Sequence, residues 1–346
     1  MPHETDINIF LEKSISIPVI DVRSPAEYLK GHLPGAYNIP LFTNEERATI
    51  GTLYVKKSKD DAVLKGLEFV GPKMKDFVLE AKKLAVNKQL LVHCWRGGMR
   101  SNSMAWLFEQ IGLRTTTLKG GYKSYRRFVI EKINGQPNLI IIGGMTGSGK
   151  SEILRELKKS GEQILDLEAL ANHKGSAFGA LGQALQPTQE QFENNLFTEI
   201  RNLDIQKIIW VEDESSSIGR NQLPKSLFEK MQKSQVVLIS MDKQERIKRL
   251  VKEYACFSKI LLAESIKKIE KRLGYDQAKF ALEALEENNF DLIAEITLRY
   301  YDKAYLWQIQ NRKPESLTQI SVNSEESSVI AKKISGIFTN KSENIS

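Results

Sequence analysis

A phosphate-binding loop motif constrains the fold of this chain more than any other stretch of its sequence. Residues 144–151 read Gly-Met-Thr-Gly-Ser-Gly-Lys-Ser and match the pattern G-x4-G-K-[ST]. The apolar run Asn138–Ile142 before the motif predicts a strand, and the pattern of Ser151–Lys159 after it predicts an amphipathic helix. A strand, a glycine-rich loop and a helix in this order indicate a P-loop, so the motif predicts an α/β domain with a parallel sheet.

The residues of this motif have distinct expected roles in binding a diphosphate group. Glycines let the backbone close around the phosphates, so that its N–H groups donate to their oxygens. Lys150 would neutralise the terminal phosphates, and the Ser151 hydroxyl would ligate Mg²⁺. The predicted diphosphate-binding set is Gly144, Thr146, Gly147, Ser148, Gly149, Lys150 and Ser151. Because ATP, GTP and an isoprenyl diphosphate all present such a group, the motif leaves the ligand open.

Acidic residues follow two further predicted strands, Gln163–Leu167 and Lys207–Val211. The run Ile208–Glu214 reads Ile-Ile-Trp-Val-Glu-Asp-Glu and resembles the acidic strand end of the Walker B type, which holds Mg²⁺. Alternation along the strand does not decide whether Glu212 or Asp213 faces the ion. The predicted Mg²⁺-associated residues are Ser151, Asp166, Glu212 and Asp213, and the weaker candidates for phosphate contacts are Arg220 and Arg246.

A cysteine loop is the second segment with evident chemistry. Residues 93–101 read His-Cys-Trp-Arg-Gly-Gly-Met-Arg-Ser and follow the predicted strand Gln89–His93. Loop N–H groups, a helix N-terminus capped by Ser101 and the two arginines would stabilise a thiolate, so we expect a nucleophilic cysteine with a lowered pKa. The catalytic candidates are Cys94, Arg96 and Arg100, and the same loop could hold an oxyanion. The alternative of a merely packed thiol suits Cys256 better.

Alternating strand and helix patterns predict two α/β domains. The predicted first domain covers residues 1–134, with strands at Ile17–Val22, Gln89–His93 and Arg114–Leu118 and helices at Met74–Ala85 and Ser101–Ile111. Gly135 and Pro137 mark the segment 134–137 as a linker. The P-loop domain is predicted over residues 138–300, with a further strand at Gln235–Ser240 and a charged helical stretch from Lys243 to about Gln310. Residues 301–346 are predicted to form a helical C-terminal extension with a polar tail.

Composition narrows the class of protein. With 346 residues, 41% of them hydrophobic and 27% charged, the chain reads as about two globular domains. No apolar run approaches the ~20 residues of a membrane span, and the N-terminus is polar, so we expect a cytoplasmic protein without a membrane partner. Two cysteines exclude a disulfide framework, and without a Cys/His cluster we expect no zinc site. A net charge of +7 admits a polyanionic partner.

Two motifs upstream of the cysteine loop suggest its family. Residues 21–28 read Asp-Val-Arg-Ser-Pro-Ala-Glu-Tyr, and residues 31–40 read Gly-His-Leu-Pro-Gly-Ala-Tyr-Asn-Ile-Pro. Together they resemble the N-terminal signature of rhodanese-like sulfur transferases, which implies that Asp21, Arg23 and Glu27 brace the fold. The spacing His-Cys-x5-Arg also fits Cys-dependent phosphatases. The loop is longer than the usual rhodanese loop, which suits a tetrahedral, phosphate-like group.

A rhodanese-like domain followed by a P-loop domain resembles the tRNA 2-selenouridine synthases, over roughly Ile17–Tyr305. Supporting segments are Lys119–Arg127, Val211–Ser215 and Leu298–Asp302. The resemblance implies two steps at the wobble 2-thiouridine of tRNAs for Lys, Glu and Gln. Geranyl diphosphate, bound at the P-loop with Mg²⁺, alkylates the sulfur, and selenophosphate, bound at the Cys94 loop, then supplies selenium. Whether Cys94 carries selenium covalently or only positions selenophosphate is left open.

The partner implied by this resemblance is the anticodon arm of tRNA, and a selenophosphate-supplying enzyme is a further candidate. Cations and aromatic residues alternate within 119–127, a combination that serves backbone contacts and base stacking, and the predicted tRNA-binding residues are Lys123, Arg126 and Arg127. Three alternatives remain: a Cys-dependent phosphatase fused to an ATP-binding domain, an ATP-dependent tRNA sulfur transferase, and a non-enzymatic tRNA-binding module.

Overall fold

The computed structural model describes residues 2–135, 137–322 and 326–343, with side chains up to Phe338. The chain divides into two compact units, Met1–Lys132 with Glu193–Thr198, and Ile133–Phe192 with Glu199–Ser346. Gln136 of the expected linker and the last three residues of the expected polar tail lie outside the described residues. None of the described helices is both long and apolar enough to cross a membrane.

The first unit is built on a sheet of five parallel strands in the order β1-β5-β4-β2-β3. The strands are β1 His3–Thr5, β2 Val19–Asp21, β3 Tyr37–Asn38, β4 Gln89–His93 and β5 Arg114–Leu118. The helices are α1 Ile7–Lys13, α2 Pro25–Lys30, α3 Asn44–Lys56, α4 Lys59–Val70, α5 Met74–Leu84, α6 Met99–Glu109 and α7 Gly121–Ile133.

The strands in the middle of this sheet, β5, β4 and β2, are those that the sequence analysis predicts. In β4, Leu90, Leu91 and Val92 are buried in succession, as expected for a parallel strand covered on both faces. The predicted bounds of β4 and β5 are confirmed, and β2 is shorter than its predicted Ile17–Val22. The edge strands β1 and β3 were not predicted, because polar residues such as His3, Glu4 and Asn38 hide the apolar pattern.

The second unit contains another sheet of five parallel strands, in the order β12-β11-β6-β8-β7, and an antiparallel pair, β9 and β10. The strands are β6 Asn138–Gly144, β7 Gln163–Leu165, β8 Ile208–Glu212, β9 Ser217–Ile218, β10 Asn221–Gln222, β11 Gln235–Met241 and β12 Leu317–Val322. The helices are α8 Lys150–Lys159, α9 Leu167–Ala171, α10 Gln189–Arg201, α11 Lys225–Lys233, α12 Lys243–Tyr254, α13 Lys259–Leu273, α14 Tyr275–Glu286, α15 Phe290–Gln310 and α16 Ser327–Glu343. The α/β class of both halves is thereby confirmed.

The C-terminal segment differs from the expected helical extension at 301–346. Strand β12 pairs in parallel with β11 along its whole length, from Val236 opposite Leu317 to Met241 opposite Val322. Helix α15 runs through the expected boundary at residue 300 without interruption. The segment is therefore a structural part of the P-loop unit, and the polar residues interleaved in β12 explain why the strand was not predicted.

Helix α16 buries its apolar face in the core of the P-loop unit. Ile330, Ile334 and Phe338 join a cluster with residues of β6, α8 and β11, and the ring of Phe338 meets Trp210 edge to face at 5.5 Å. Spacing of four residues places these three side chains on one helical face. The C-terminal helix thus closes the core beneath the P-loop strand.

Truncation of Ile334 to alanine is expected to lower the free energy of unfolding by about 2–5 kcal/mol, because its side chain is fully buried and leaves a cavity. Lys332→Ala, on the exposed face of α16, is the matched control and should change it by less than about 0.5 kcal/mol. Urea denaturation measures both. Equal effects of the two variants would show that α16 is not part of the core.

Candidate active sites of the two units

The Cys94 thiol lies at the carboxyl end of β4, at the start of the loop that leads into α6. Cys94 is buried, and its sulfur lies 3.3 Å from the Ser101 hydroxyl oxygen. The Gly98 N–H donates to the same sulfur at 3.4 Å. Helix α6 begins at Met99 rather than at the predicted Ser101, so Ser101 does not cap the helix but contacts the thiol from its first turn.

These contacts favour the ionised form of the cysteine. Burial by itself raises the pKa of the Cys94 thiol, but the Ser101 hydroxyl, the Gly98 N–H and the charge of Arg100 outweigh it and hold the pKa below its ordinary value. A thiolate can only accept hydrogen bonds, so in that state the Ser101 O–H must turn from the Gly98 carbonyl, 3.0 Å away, to the sulfur. Contacts of this kind are the ones that make a cysteine more nucleophilic.

The two arginines of the loop differ in their surroundings. Arg100 is half-buried and donates to Glu27 at 2.8 Å, and this pair holds the pKa of the Glu27 carboxyl below its usual range against the effect of burial. Arg96 has an exposed side chain. Glu27, expected to brace the fold, thus also neutralises Arg100, which leaves Arg96 as the more accessible cation for an incoming anion.

A buried ion pair supports the loop from the neighbouring strand. The Arg23 guanidinium donates to Asp21 at 2.6 Å and to the Gly31 carbonyl at 2.7 Å, and it stacks over the Tyr122 ring at 3.7 Å. Burial raises the pKa of Asp21, but the charges and hydrogen bonds around it hold the pKa below its usual value. His93 is fully buried beside this pair, and burial lowers the pKa of its ring.

Helix α7 closes the cysteine loop from the other side. The Tyr122 N–H donates to the Cys94 carbonyl at 2.8 Å, and the Lys123 N–H donates to the Trp95 carbonyl at 2.9 Å. A Cβ on Gly121 would lie 2.4 Å from both the Cys94 oxygen and the Gly97 nitrogen, and its φ of +59° is left-handed. Only glycine fits here, because any side chain would push the loop away from the helix.

The predicted tRNA-binding residues of α7 fall into two groups. The side chains of Lys123 and Arg127 are exposed. Arg126 is half-buried, donates to the Asn194 side chain at 2.5 Å and forms an ion pair with Glu193. The charge of Arg126 is thus paired within the protein, and its contact with tRNA stays a prediction.

The P-loop connects β6 to α8 as its motif predicts. Lys150 donates to the Gly144 carbonyl at 3.0 Å, and the Ser151 hydroxyl donates to Glu168 at 3.1 Å. Gly147 has a φ of +82°, and a Cβ there would approach the Arg246 carbonyl oxygen to 3.0 Å. The Ser148 hydroxyl is buried within the loop without a hydrogen-bond partner among the described residues.

Three carboxylates converge beside Ser151, and only one of them was among the predicted ligands. Oxygen atoms of Glu168, Glu212 and Glu214 lie within 4.8 Å of one another. Burial, followed by the charge of Glu168, raises the pKa of Glu212 to about 8, and one Glu212 oxygen is buried without a partner in the described part of the chain. Burial also raises the pKa of Glu168, where the charge of Asp166 adds to the effect, and the pKa of Glu214, where the charges of Glu168 and Glu212 add to it. Such a cluster is short of positive charge, which fits a divalent cation with oxygen ligands.

The other two predicted Mg²⁺ carboxylates are hydrogen-bonded to other protein groups, although the charge of Asp166 still raises the pKa of Glu168 and Glu212. Asp213 forms a buried ion pair with Arg312 at 2.6 Å and accepts a hydrogen bond from Tyr305 at 3.3 Å. Asp166 caps α9 by accepting from the Ala169 N–H at 2.9 Å. The geometry thus resolves the choice between adjacent acids: Glu212 faces the P-loop cluster, and Asp213 faces α15 and the segment after it.

The remaining arginine candidates bind protein groups. Arg246 is buried, forms a two-pronged ion pair with Asp302 at 2.7 and 2.8 Å and donates to the Thr146 carbonyl at 3.2 Å. Arg220 donates to the Gln186 carbonyl. Arg246 therefore fixes the P-loop to α15 rather than standing free for a phosphate.

Some of the site residues that the sequence analysis did not assign could have been recognised from the sequence. Glu212 and Glu214 are two positions apart, so alternation places them on one side and Asp213 on the other. Glu168 follows Asp166 after β7, which is the neighbour of β8 in the sheet. Arg312 and Tyr305 carried no signal, because their partner Asp213 lies about a hundred residues earlier.

Comparison with known proteins agrees with this two-site architecture. Residues 9–127 match the model of the rhodanese-like domain, and residues 137–333 match the tRNA 2-selenouridine synthase AAA domain. The chain is thus a fusion of a rhodanese-like domain with a P-loop domain of the AAA type. The tRNA 2-selenouridine synthase of Shewanella frigidimarina is 34% identical over 339 residues, which cover 87% of this chain and 91% of the relative. The chain therefore belongs to the tRNA 2-selenouridine synthase family.

The further similarities include a second relative and a solved structure. The tRNA 2-selenouridine synthase of Nitrosomonas eutropha is 31% identical over 348 residues, covering 86% of this chain and 89% of the relative. A rhodanese-related protein from Thermoplasma volcanium is 22% identical with a TM-score of 0.24, covering 36% of this chain and 92% of that one.

The pH dependence of Cys94 reactivity tests the thiolate geometry. In a Cys256→Ser background, alkylation by iodoacetamide should reach half its plateau below the ordinary pKa of a cysteine thiol. Ser101→Ala removes a donor to the sulfur and should move the midpoint to higher pH, whereas Ser103→Ala, on an exposed turn of the same helix, should leave it in place. A midpoint that ignores Ser101 would refute the assigned hydrogen bond.

Proposed function

We propose that this chain converts 2-thiouridine at the wobble position of tRNA to 2-selenouridine, by S-geranylation followed by selenation. The observation that carries the proposal is the pairing of a stabilised Cys94 thiolate with the P-loop domain of this family in one chain. The names of the relatives support tRNA as the substrate. As a tRNA-modifying enzyme the protein would act in the cytoplasm.

The P-loop is proposed to bind geranyl diphosphate in the first step. The sulfur of 2-thiouridine attacks the allylic carbon, an S–C bond forms, and the C–O bond breaks with its electron pair leaving on diphosphate. Lys150 and the loop N–H groups would stabilise the charge that develops on this leaving group. In this step the P-loop domain would hold the diphosphate so that the allylic carbon of the same substrate faces the sulfur.

Mg²⁺ is the proposed cofactor of that step, and the donor set fits it. Glu168, Glu212 and Glu214 offer carboxylate oxygens beside the Ser151 hydroxyl, and a buried Glu212 oxygen has no partner within the described chain. Such an ion usually keeps several waters and is held by few carboxylates together with substrate phosphates. When bound, Mg²⁺ would neutralise charge on the departing diphosphate.

The Cys94 loop is proposed to bind selenophosphate in the second step. Selenium adds to C2 of the alkylated base, and the C2–S bond breaks so that geranyl thiolate leaves. Water then attacks phosphorus, releasing phosphate while selenium keeps its bonding electrons. The Gly98 N–H, the α6 N-terminus and the exposed Arg96 provide donors and positive charge for the phosphoryl oxygens.

The exposed cations of α7 are the proposed tRNA contacts in this unit. Lys123 and Arg127 are exposed, and the Lys123 backbone is bonded to the cysteine loop through Trp95. The net charge of +7 is consistent with a polyanionic partner. An anticodon arm docked here would approach Cys94, and a selenophosphate-supplying enzyme is the second proposed partner.

Nucleoside mass spectrometry on a thiolated anticodon arm tests the two-step proposal. With geranyl diphosphate, Mg²⁺ and then selenophosphate, we expect a geranyl mass gain followed by replacement of sulfur by selenium. Cys94→Ser should abolish selenation and leave geranylation intact, whereas Lys150→Ala should lower geranylation by about 10²-fold or more.

Matched variants separate these effects from damage to the fold. Cys256→Ser and Lys159→Ala change exposed residues of the same types and should keep both activities. Equal loss of both steps in Cys94→Ser would refute the division between sites. Turnover of ATP alone, with no geranyl transfer, would instead favour the ATP-dependent alternative.

The proposed tRNA surface of α7 is tested by the salt dependence of binding. Lys123→Ala with Arg127→Ala should weaken tRNA binding and flatten its dependence on salt, by about 0.7–0.9 in slope for each phosphate that is no longer neutralised. Lys82→Ala with Lys83→Ala, which removes the same charge from α5, should leave the slope nearly unchanged. Identical slopes for the two double variants would place the tRNA surface elsewhere.

A further inference from the structure

An apolar cleft opens beside the P-loop within the second unit. It is lined by side chains from the P-loop and helices α12, α13 and α15. Its walls include Leu250, Leu262, Phe290, Ile293 and Ala294. Apolar clefts with a few polar groups are typical of sites for small molecules, and neither diphosphate binding at the P-loop nor selenation at Cys94 gives this cleft a role.

The cleft begins at the phosphate site itself. Thr146, a residue of the P-loop, is one of its lining residues. The Thr146 carbonyl is bonded to Arg246, whose guanidinium is in turn paired with Asp302 of α15. Both Tyr301, next to this pair, and Phe290 line the cleft. At 1.5 Å per residue these two helical positions are about 16 Å apart, so the cleft extends from the phosphate site along α15.

The polar groups of the wall are already bonded within the protein. The Tyr301 hydroxyl accepts from the Ala177 N–H at 3.0 Å, and the Thr297 hydroxyl donates to the Ile293 carbonyl at 2.9 Å. The Ser176 oxygen accepts from the Phe178 N–H at 3.2 Å. A nucleobase buried here would lose its hydrogen bonds to water without replacement, whereas a hydrocarbon chain would lose none.

We propose that this cleft binds the hydrocarbon chain of an allylic diphosphate whose diphosphate group lies in the P-loop. The inference rests on the proposed function and goes beyond it, because it assigns residues to the chain site and makes the cleft the determinant of chain length. The P-loop then binds the diphosphate group, and the apolar cleft binds the hydrocarbon chain of the same ligand. Phe290, distant from the P-loop along α15, lies where a geranyl chain would end.

Two substitutions in the cleft should have opposite effects. Ala294→Leu fills the cleft and should weaken binding of geranyl diphosphate by roughly tenfold or more. It should leave binding of inorganic diphosphate unchanged, because Ala294 does not belong to the P-loop. Phe290→Ala lengthens the cleft and should shift the preference from geranyl towards farnesyl diphosphate. Leu292→Ala, a more exposed position on the same helix, is the matched control and should do neither.

Calorimetry on the full-length protein with Mg²⁺, using geranyl diphosphate, farnesyl diphosphate, inorganic diphosphate and ATP, decides the question. Tighter binding of geranyl diphosphate than of inorganic diphosphate, abolished in Ala294→Leu and redirected in Phe290→Ala, supports the cleft. Equal affinities of these two ligands in the unsubstituted protein overturn the cleft and leave the P-loop assignment standing. Binding of ATP alone overturns the proposed function itself. A gain of farnesyl diphosphate binding in Phe290→Ala cannot arise from misfolding. If this variant binds geranyl diphosphate with unchanged affinity and gains no farnesyl diphosphate binding, the placement of the chain end at Phe290 is refuted.

Discussion

The parallel register of β6 and β8 is the constraint on which the P-loop site depends. Ile142 lies opposite Glu212, so the strand that delivers the glycine-rich loop and the strand that delivers the acids end at the same level. Parallel strands gather the loops of a sheet at its carboxyl edge, where ligands of open α/β sheets bind. β7 ends beside β8 and adds Glu168. A one-residue slip of this register would exchange Glu212 for Asp213 at the cluster and expose a buried ion pair.

The two candidate sites differ in how the protein arranges its own negative charge. At the Cys94 loop the negative charge belongs to the protein, and hydrogen bonds from Ser101 and Gly98 stabilise it. At the P-loop three acidic side chains lie within 4.8 Å of one another, and burial raises the pKa of each. The first arrangement is stabilised by groups of the chain itself, whereas the oxygen donors of the second fit the divalent cation that we propose there.

Local structure can be predicted well from this sequence, whereas contacts between residues far apart in the chain cannot. The P-loop, β4, β5 and the cysteine loop were predicted because each depends on a continuous stretch of pattern. Arg126 resembled a surface cation, and only the folded chain shows that Glu193 and Asn194, nearly seventy residues later, bind it. Strand β12 was not predicted for a related reason. Polar residues interrupt its apolar pattern, and the segment is recognised as a strand only from its pairing with β11. The residues next to a side chain in the sequence do not reveal a partner that lies far away in the chain.

The close approach of Gly121 to the cysteine loop has a consequence for protein engineering. The loop and its closing glycine are separated by two further elements, α6 and β5, yet the backbone of one leaves no room for a side chain on the other. A graft of residues 93–101 onto another parallel sheet would therefore carry the thiol but not the geometry that positions its backbone. A graft of this loop therefore has to include α7 with glycine at its first position, in addition to β4, α6 and β5.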